Sequence, residues 1–124
     1  MIIGLGIDLV EVPRIEKVLT KHQKRFLNRI LTEKEKNAIS RKRFIATYVA
    51  AYFATKEACS KALGTGLRGV SWKEMELLHE PSGKPFMRLH GRALERFKFL
   101  GGKRIHVSLS HERLYATAIV IIED

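Results

Sequence analysis

The chain has 124 residues, 45% hydrophobic and 29% charged, and 23 Lys and Arg against 13 Asp and Glu give it a formal charge of +10. That length suits one domain, 1–124, with its own core, and no apolar run is long enough to span a bilayer. The single Cys59 and a start, Met1-Ile2-Ile3-Gly4-Leu5-Gly6, without a basic leader predict a cytoplasmic protein with no disulfide and no membrane contact.

Ile2 to Val10 predicts a buried strand, with Gly4 and Gly6 permitting close backbone approach. Alternation puts Ile3, Leu5, Ile7 and Leu9 on one face and Asp8 on the other, beside the glycines. Pro13 suits the first turn of a helix to about Lys21. On it Ile15 and Leu19 form an inward stripe, while Arg14, Lys17, Val18 and Lys21 point elsewhere. More basic residues, Lys24, Arg25 and Arg29, surround Phe26. Thr32 and Glu35 form a capping box that opens another short helix. A long helix follows from about Arg43 to Leu63, free of Gly and Pro and ending at Gly64. Cys59 belongs to it as a small packing residue.

The second half is strand-rich. Val70 to His79 predicts a strand, Pro81-Ser82-Gly83-Lys84-Pro85 a turn, and Phe86 to Leu89 the return strand. A short helix covers about Gly91 to Leu100, before Gly101-Gly102. Ile105 to Ser110 and Tyr115 to Ile122 form two closing strands. With no repeat or linker, the fold class is α+β: an antiparallel-rich sheet packed on a long central helix.

Chemistry concentrates at Phe53-Ala-Thr-Lys-Glu-Ala-Cys-Ser-Lys61, where Lys56, Glu57 and Lys61 interrupt an apolar helix. Glu57 and Lys61 are four apart and share a face. Such a pair can be plain helix support worth about 0.2–0.5 kcal/mol. It can also be a site, because a carboxylate in apolar surroundings is costly unless a cation meets it. Asp8 is open in the same way, as a strand-end residue capping nearby backbone or as a ligand. Together Asp8 and Glu57 would offer oxygen ligands to Mg²⁺, which typically takes one or two carboxylates and completes its shell with water and phosphate. Lys56 and Lys61 would add positive charge for those phosphates.

Gly4-Leu-Gly-Ile-Asp8 with Arg14, then Phe53-x-x-Lys-Glu57-x-x-x-Lys61 and Gly64-Thr-Gly66, resemble the two signature motifs of the 4′-phosphopantetheinyl transferases. The nearer match is to the short bacterial holo-[acyl-carrier-protein] synthases, and it extends through His106-Val-Ser-Leu-Ser-His111 and the Tyr115–Glu123 strand. The resemblance implies transfer of the phosphopantetheine arm of coenzyme A to a serine of apo acyl carrier protein, for fatty acid biosynthesis. It implies Mg²⁺ held by Asp8 and Glu57, Lys61 on the pyrophosphate or leaving phosphate, and Glu57 as a candidate acceptor of the serine proton. Gly83, Lys84 and Pro85 resemble the adenine-side loop, and His106 a residue near the coenzyme's phosphates. The acidic carrier protein would dock on Arg14, Lys17, Lys21 and Arg25, with Val18 and Phe26 giving apolar contact. A homotrimer with shared active sites is part of the same expectation. One departure is Tyr52, where many relatives have a basic residue; either Arg41, Lys42 or Arg43 compensates here, or phosphate affinity is lower.

The competing class is a small basic nucleic-acid-binding protein, supported by the +10 charge. No zinc-ligand pattern, aromatic RNA-binding signature or helix-turn-helix accompanies that charge. Nucleic acid is therefore not an expected partner.

Overall fold

The computed structural model describes residues 1–124. In chain order it contains β1 (Ile2–Glu11), α1 (Val12–Ile30), α2 (Glu33–Ile39), α3 (Ile45–Ala62) and the single turn α4 (Gly66–Gly69). A 3₁₀ turn (Trp72–Glu74), β2 (Met75–His79), β3 (Pro85–Leu89), α5 (Gly91–Phe99), β4 (Arg104–His111) and β5 (Tyr115–Glu123) follow. The chain has an α+β fold with a three-stranded antiparallel sheet, order β1-β5-β4, and a separate β2-β3 hairpin.

Helix α3 is the centre. Val49, Ala50, Ala51, Ala54, Ala58 and Cys59 are all buried, and the burial extends around most of the helix, the mark of a helix enclosed by its neighbours. Small side chains let the sheet approach closely. A Cβ on Gly6 would overlap the carbonyl oxygen of Ala58, and one on Gly4 that of Ala62. The contact also sets a register: two strand residues advance about 6.6 Å and four helical residues about 6 Å. Asp8, two residues past Gly6, therefore falls beside the preceding turn of α3, the one carrying Glu57.

The capping box at Thr32 forms in both directions, and Pro13 stands in the first turn of α1, where Ile15 and Leu19 are buried. Gly64 follows α3 with φ of 75°, as a left-handed terminator does. Cys59 is fully buried and its thiol is pushed up to about 12, first by burial. It packs, and it is not a nucleophile.

Three expectations need correction. The first helix breaks near its expected end, at His22 with non-helical dihedrals of −141° and 41°, but a second helical segment that was not expected carries α1 on to Ile30. Val70 to His79 is not one strand, because Ser71 and Glu74 form a second capping box around the 3₁₀ turn and delay β2 to Met75. Finally, β1 is buried on one face only. Leu5, Ile7 and Leu9 are 61%, 61% and 64% exposed. They form cross-strand rows with β5 and β4: Leu5–Ile121–His106, Ile7–Ile119–Ser108 and Leu9–Thr117–Ser110. The glycine face, not this aliphatic one, meets α3.

Candidate active site

Asp8 and Glu57 of the same chain line one cavity of about 430 Å³, together with Lys61, Arg14, Val18, Phe26 and Phe53. Each comes from an element whose placement has a local cause. Asp8 is brought in by the glycine seam of β1, and Thr117 Oγ1 donates to its backbone carbonyl at 2.8 Å. Glu57 and Lys61 stand one turn apart on the face of α3 that the sheet leaves uncovered. Lys61 Nζ donates to the Ile7 carbonyl at 2.9 Å and lies 3.4 Å from Asp8 Oδ1.

Partial burial raises the Glu57 carboxyl above its usual range, the Asp8 charge adds to the rise, and Lys61 opposes it. Two carboxylates held close enough to repel, with an ammonium beside them, make a site that favours an added cation. Asp8 and Glu57 supply the hard oxygen donors Mg²⁺ prefers and leave the rest of its shell for water and phosphate. The donor set therefore fits that ion. No group of three or more His, Cys, Asp or Glu side chains is clustered to hold a metal by protein ligands alone.

Arg14, Val18 and Phe26 form the α1 wall of this cavity, and Phe26 stacks on Phe53 with centroids 6.2 Å apart. Lys17, Lys21 and Arg25 are exposed on the same helix. Lys56 is not a phosphate ligand: its side chain is fully buried and paired with Glu35 at 2.7 Å. One residue along an α-helix turns the side chain through about 100°, which sends Lys56 inward while Glu57 faces the cavity.

The remaining expected site residues lie elsewhere in the chain. Gly83, Lys84 and Pro85 occupy the tip of the β2-β3 hairpin, with Gly83 at φ of 95°. His106 sits on the outer sheet face, its Nε2 2.6 Å from Glu123 Oε1. Neither lines the Asp8 cavity.

A second cavity, of about 270 Å³, includes Lys42, Tyr48, Tyr52, His79 and His111 in its lining. Tyr48 meets His111 edge-on at 5.2 Å, and Lys42 Nζ lies 5.2 Å from the Tyr48 ring centroid. Burial, then Lys42, holds His79 below its usual pKa. His79 and His111 were not singled out from sequence, because a strand-end histidine carries no periodic signal. The basic run near Tyr52 was the available pointer. A larger cavity of about 700 Å³ shares no residue with the Asp8 site.

A carboxylate pair and a lysine joined by a strand-on-helix glycine seam define a class. Residues 4–120 match the model of the 4′-phosphopantetheinyl transferase superfamily, to which the chain belongs. It is 48% identical over 125 residues to a holo-[acyl-carrier-protein] synthase of Koribacter versatilis, covering 100% of both chains. The crystal structure of the holo-[acyl-carrier-protein] synthase from Neisseria meningitidis superposes with a TM-score of 0.90 at 36% identity, covering 100% of both. That of the Helicobacter pylori synthase, in complex with coenzyme A, gives 0.84 at 31% identity, covering 96% of this chain and 99% of that one. Within the superfamily, these full-length likenesses are to holo-[acyl-carrier-protein] synthases.

Proposed function

We propose that this chain transfers the 4′-phosphopantetheine arm of coenzyme A to a serine of apo acyl carrier protein, releasing adenosine 3′,5′-bisphosphate, in fatty acid biosynthesis. The observation that carries the reading is the meeting of Asp8, Glu57 and Lys61 in one cavity. Coenzyme A bound to the Helicobacter pylori relative supports the choice of donor.

The serine Oγ attacks the β-phosphorus, and the bond from that phosphorus to the bridging oxygen breaks. Glu57 accepts the serine proton, directly or through a water between them. Lys61 offsets the charge that gathers on the bridging oxygen. Asp8 and Glu57 together would hold Mg²⁺, which when bound would neutralise pyrophosphate charge. Arg14, Lys17, Lys21 and Arg25 attract the acidic carrier protein, and Val18 and Phe26 give it an apolar seat.

The working form is a homotrimer in the cytoplasm, with sites completed between copies. Supporting this, the Leu5, Ile7 and Leu9 face has no cover within one chain. The hairpin residues Gly83, Lys84 and Pro85, His106, and the second cavity with Lys42 and His111 also lie apart from Asp8 in one chain. A neighbouring copy would supply them as the coenzyme-binding half, with Lys42 compensating for Tyr52.

Mass spectrometry of apo acyl carrier protein incubated with this chain, coenzyme A and Mg²⁺ tests the proposal. The carrier is expected to gain one phosphopantetheine. No gain, with tight binding of DNA or RNA instead, would move the protein to the nucleic-acid class.

A further inference from the structure

The transfer site leaves one costly feature unexplained: a fully buried ion pair next to it in sequence. Lys56 Nζ donates to Glu35 Oε1 at 2.7 Å, to the Ile30 carbonyl at 2.8 Å and to the Trp72 carbonyl at 2.9 Å, so all its donors are used. Glu35 is equally buried and also accepts from the Thr32 and Leu77 amides, each at 2.8 Å. The pair thereby joins the end of α1, the start of α2, the 3₁₀ turn and β2 to α3.

A buried ion pair is poor value for stability alone, because apolar residues of similar volume do as well or better. What it supplies is direction: an ammonium with three fixed acceptors admits one arrangement of the segments that carry them. Two of those segments, α1 and α3, line the cavity of the transfer site. Phe53, one turn before Lys56, stacks on Phe26 of α1 at 6.2 Å and packs at a tilt against Trp72 at 4.9 Å, and Phe26 and Phe53 wall the cavity holding Asp8, Glu57 and Lys61.

We propose that Lys56 and Glu35 are positioning residues, a buried ion pair that fixes the second half of α1 and the Phe26–Phe53 wall relative to the transfer site without touching substrate. The role in seating the carrier protein rests on the function proposed above. The role in fixing the wall does not.

Trp72 is the only tryptophan, so its fluorescence reports on the wall directly. In the double variant Glu35→Gln/Lys56→Met both charges go at nearly constant volume, and the glutamine keeps an acceptor for the capping box. The variant is expected to fold by circular dichroism, to show red-shifted Trp72 emission, and to have a KM for apo acyl carrier protein raised about tenfold with kcat and the KM for coenzyme A within about twofold. Glu35→Gln alone, which keeps the ammonium and its two carbonyl bonds but leaves it buried without a counter-charge, is the second variant, and the same changes are expected in larger size. A folded variant with wild-type emission, or with shifted emission but a wild-type KM for the carrier, overturns the proposal. If neither variant folds, the pair serves folding alone and the positioning role is lost. A wild-type chain that transfers nothing removes the functional reading, while the emission still tests whether the pair fixes the wall.

Discussion

At the scale of single residues, Glu57 is the informative group. Its folded pKa is raised, first by burial. A raised carboxyl favours the folded chain below the usual carboxylate range, and that benefit is lost as pH rises through the folded pKa. At neutral pH without metal the ionised Glu57 therefore costs stability. Glu57→Gln is expected to melt a few degrees higher than wild type at pH 7 in chelator, to lose that advantage near pH 4, and to be inactive in transfer. Thermal melts at the two pH values, with the mass assay, check this. A variant that turned over at the wild-type rate would remove Glu57 from the mechanism.

At the scale of elements, two surfaces do different work. The β1–α3 seam is backbone against backbone, so a methyl group at Gly6 must push the Ala58 carbonyl away. Gly6→Ala is expected to cost about 3 kcal/mol or more, read as a lowered denaturation midpoint, and to lose activity by separating Asp8 from Glu57. On the proposed function, helix α1 acts through charge. Lys17 and Lys21 are exposed and make no ion pair within the chain. Lys17→Glu/Lys21→Glu is expected to raise the KM for the carrier protein about tenfold, with the KM for coenzyme A little changed. The wild-type KM for the carrier should itself rise with salt, as steering between exposed charges does.

At the scale of the whole molecule, the proposed assembly rests on the aliphatic outer face of the sheet. If Leu5, at 61% exposure in one chain, faced water in solution, a charge there would change stability by only about 0.5 kcal/mol. On the proposed trimer the same charge would be buried between copies. Leu5→Asp is thus expected to sediment as a folded monomer and to lose most transfer activity, since each monomer would keep only its own half of the site. Unchanged sedimentation would place this face outside the assembly.

The sequence by itself determined most of the elements and marked out the charged residues of the candidate site. The Gly-free run 43–63, the Thr32–Glu35 box, Pro13 and Gly64 are local signals, governed by backbone sterics and hydrogen bonds a few residues apart, and each held to within a residue or two. Asp8, Glu57 and Lys61 stood out because charge in an apolar setting is costly wherever the chain goes. Only the tertiary structure decided which charges share a site. Lys56 and Glu57 are adjacent in sequence, yet one is enclosed by Glu35, Ile30 and Trp72 and the other lines the cavity. The aliphatic face of β1 was legible as a face, but its exposure was not, because alternation marks two sides of a strand without saying which one the helix covers. That choice belongs to the glycines, whose missing side chains let α3 come close enough to place Asp8 beside Glu57.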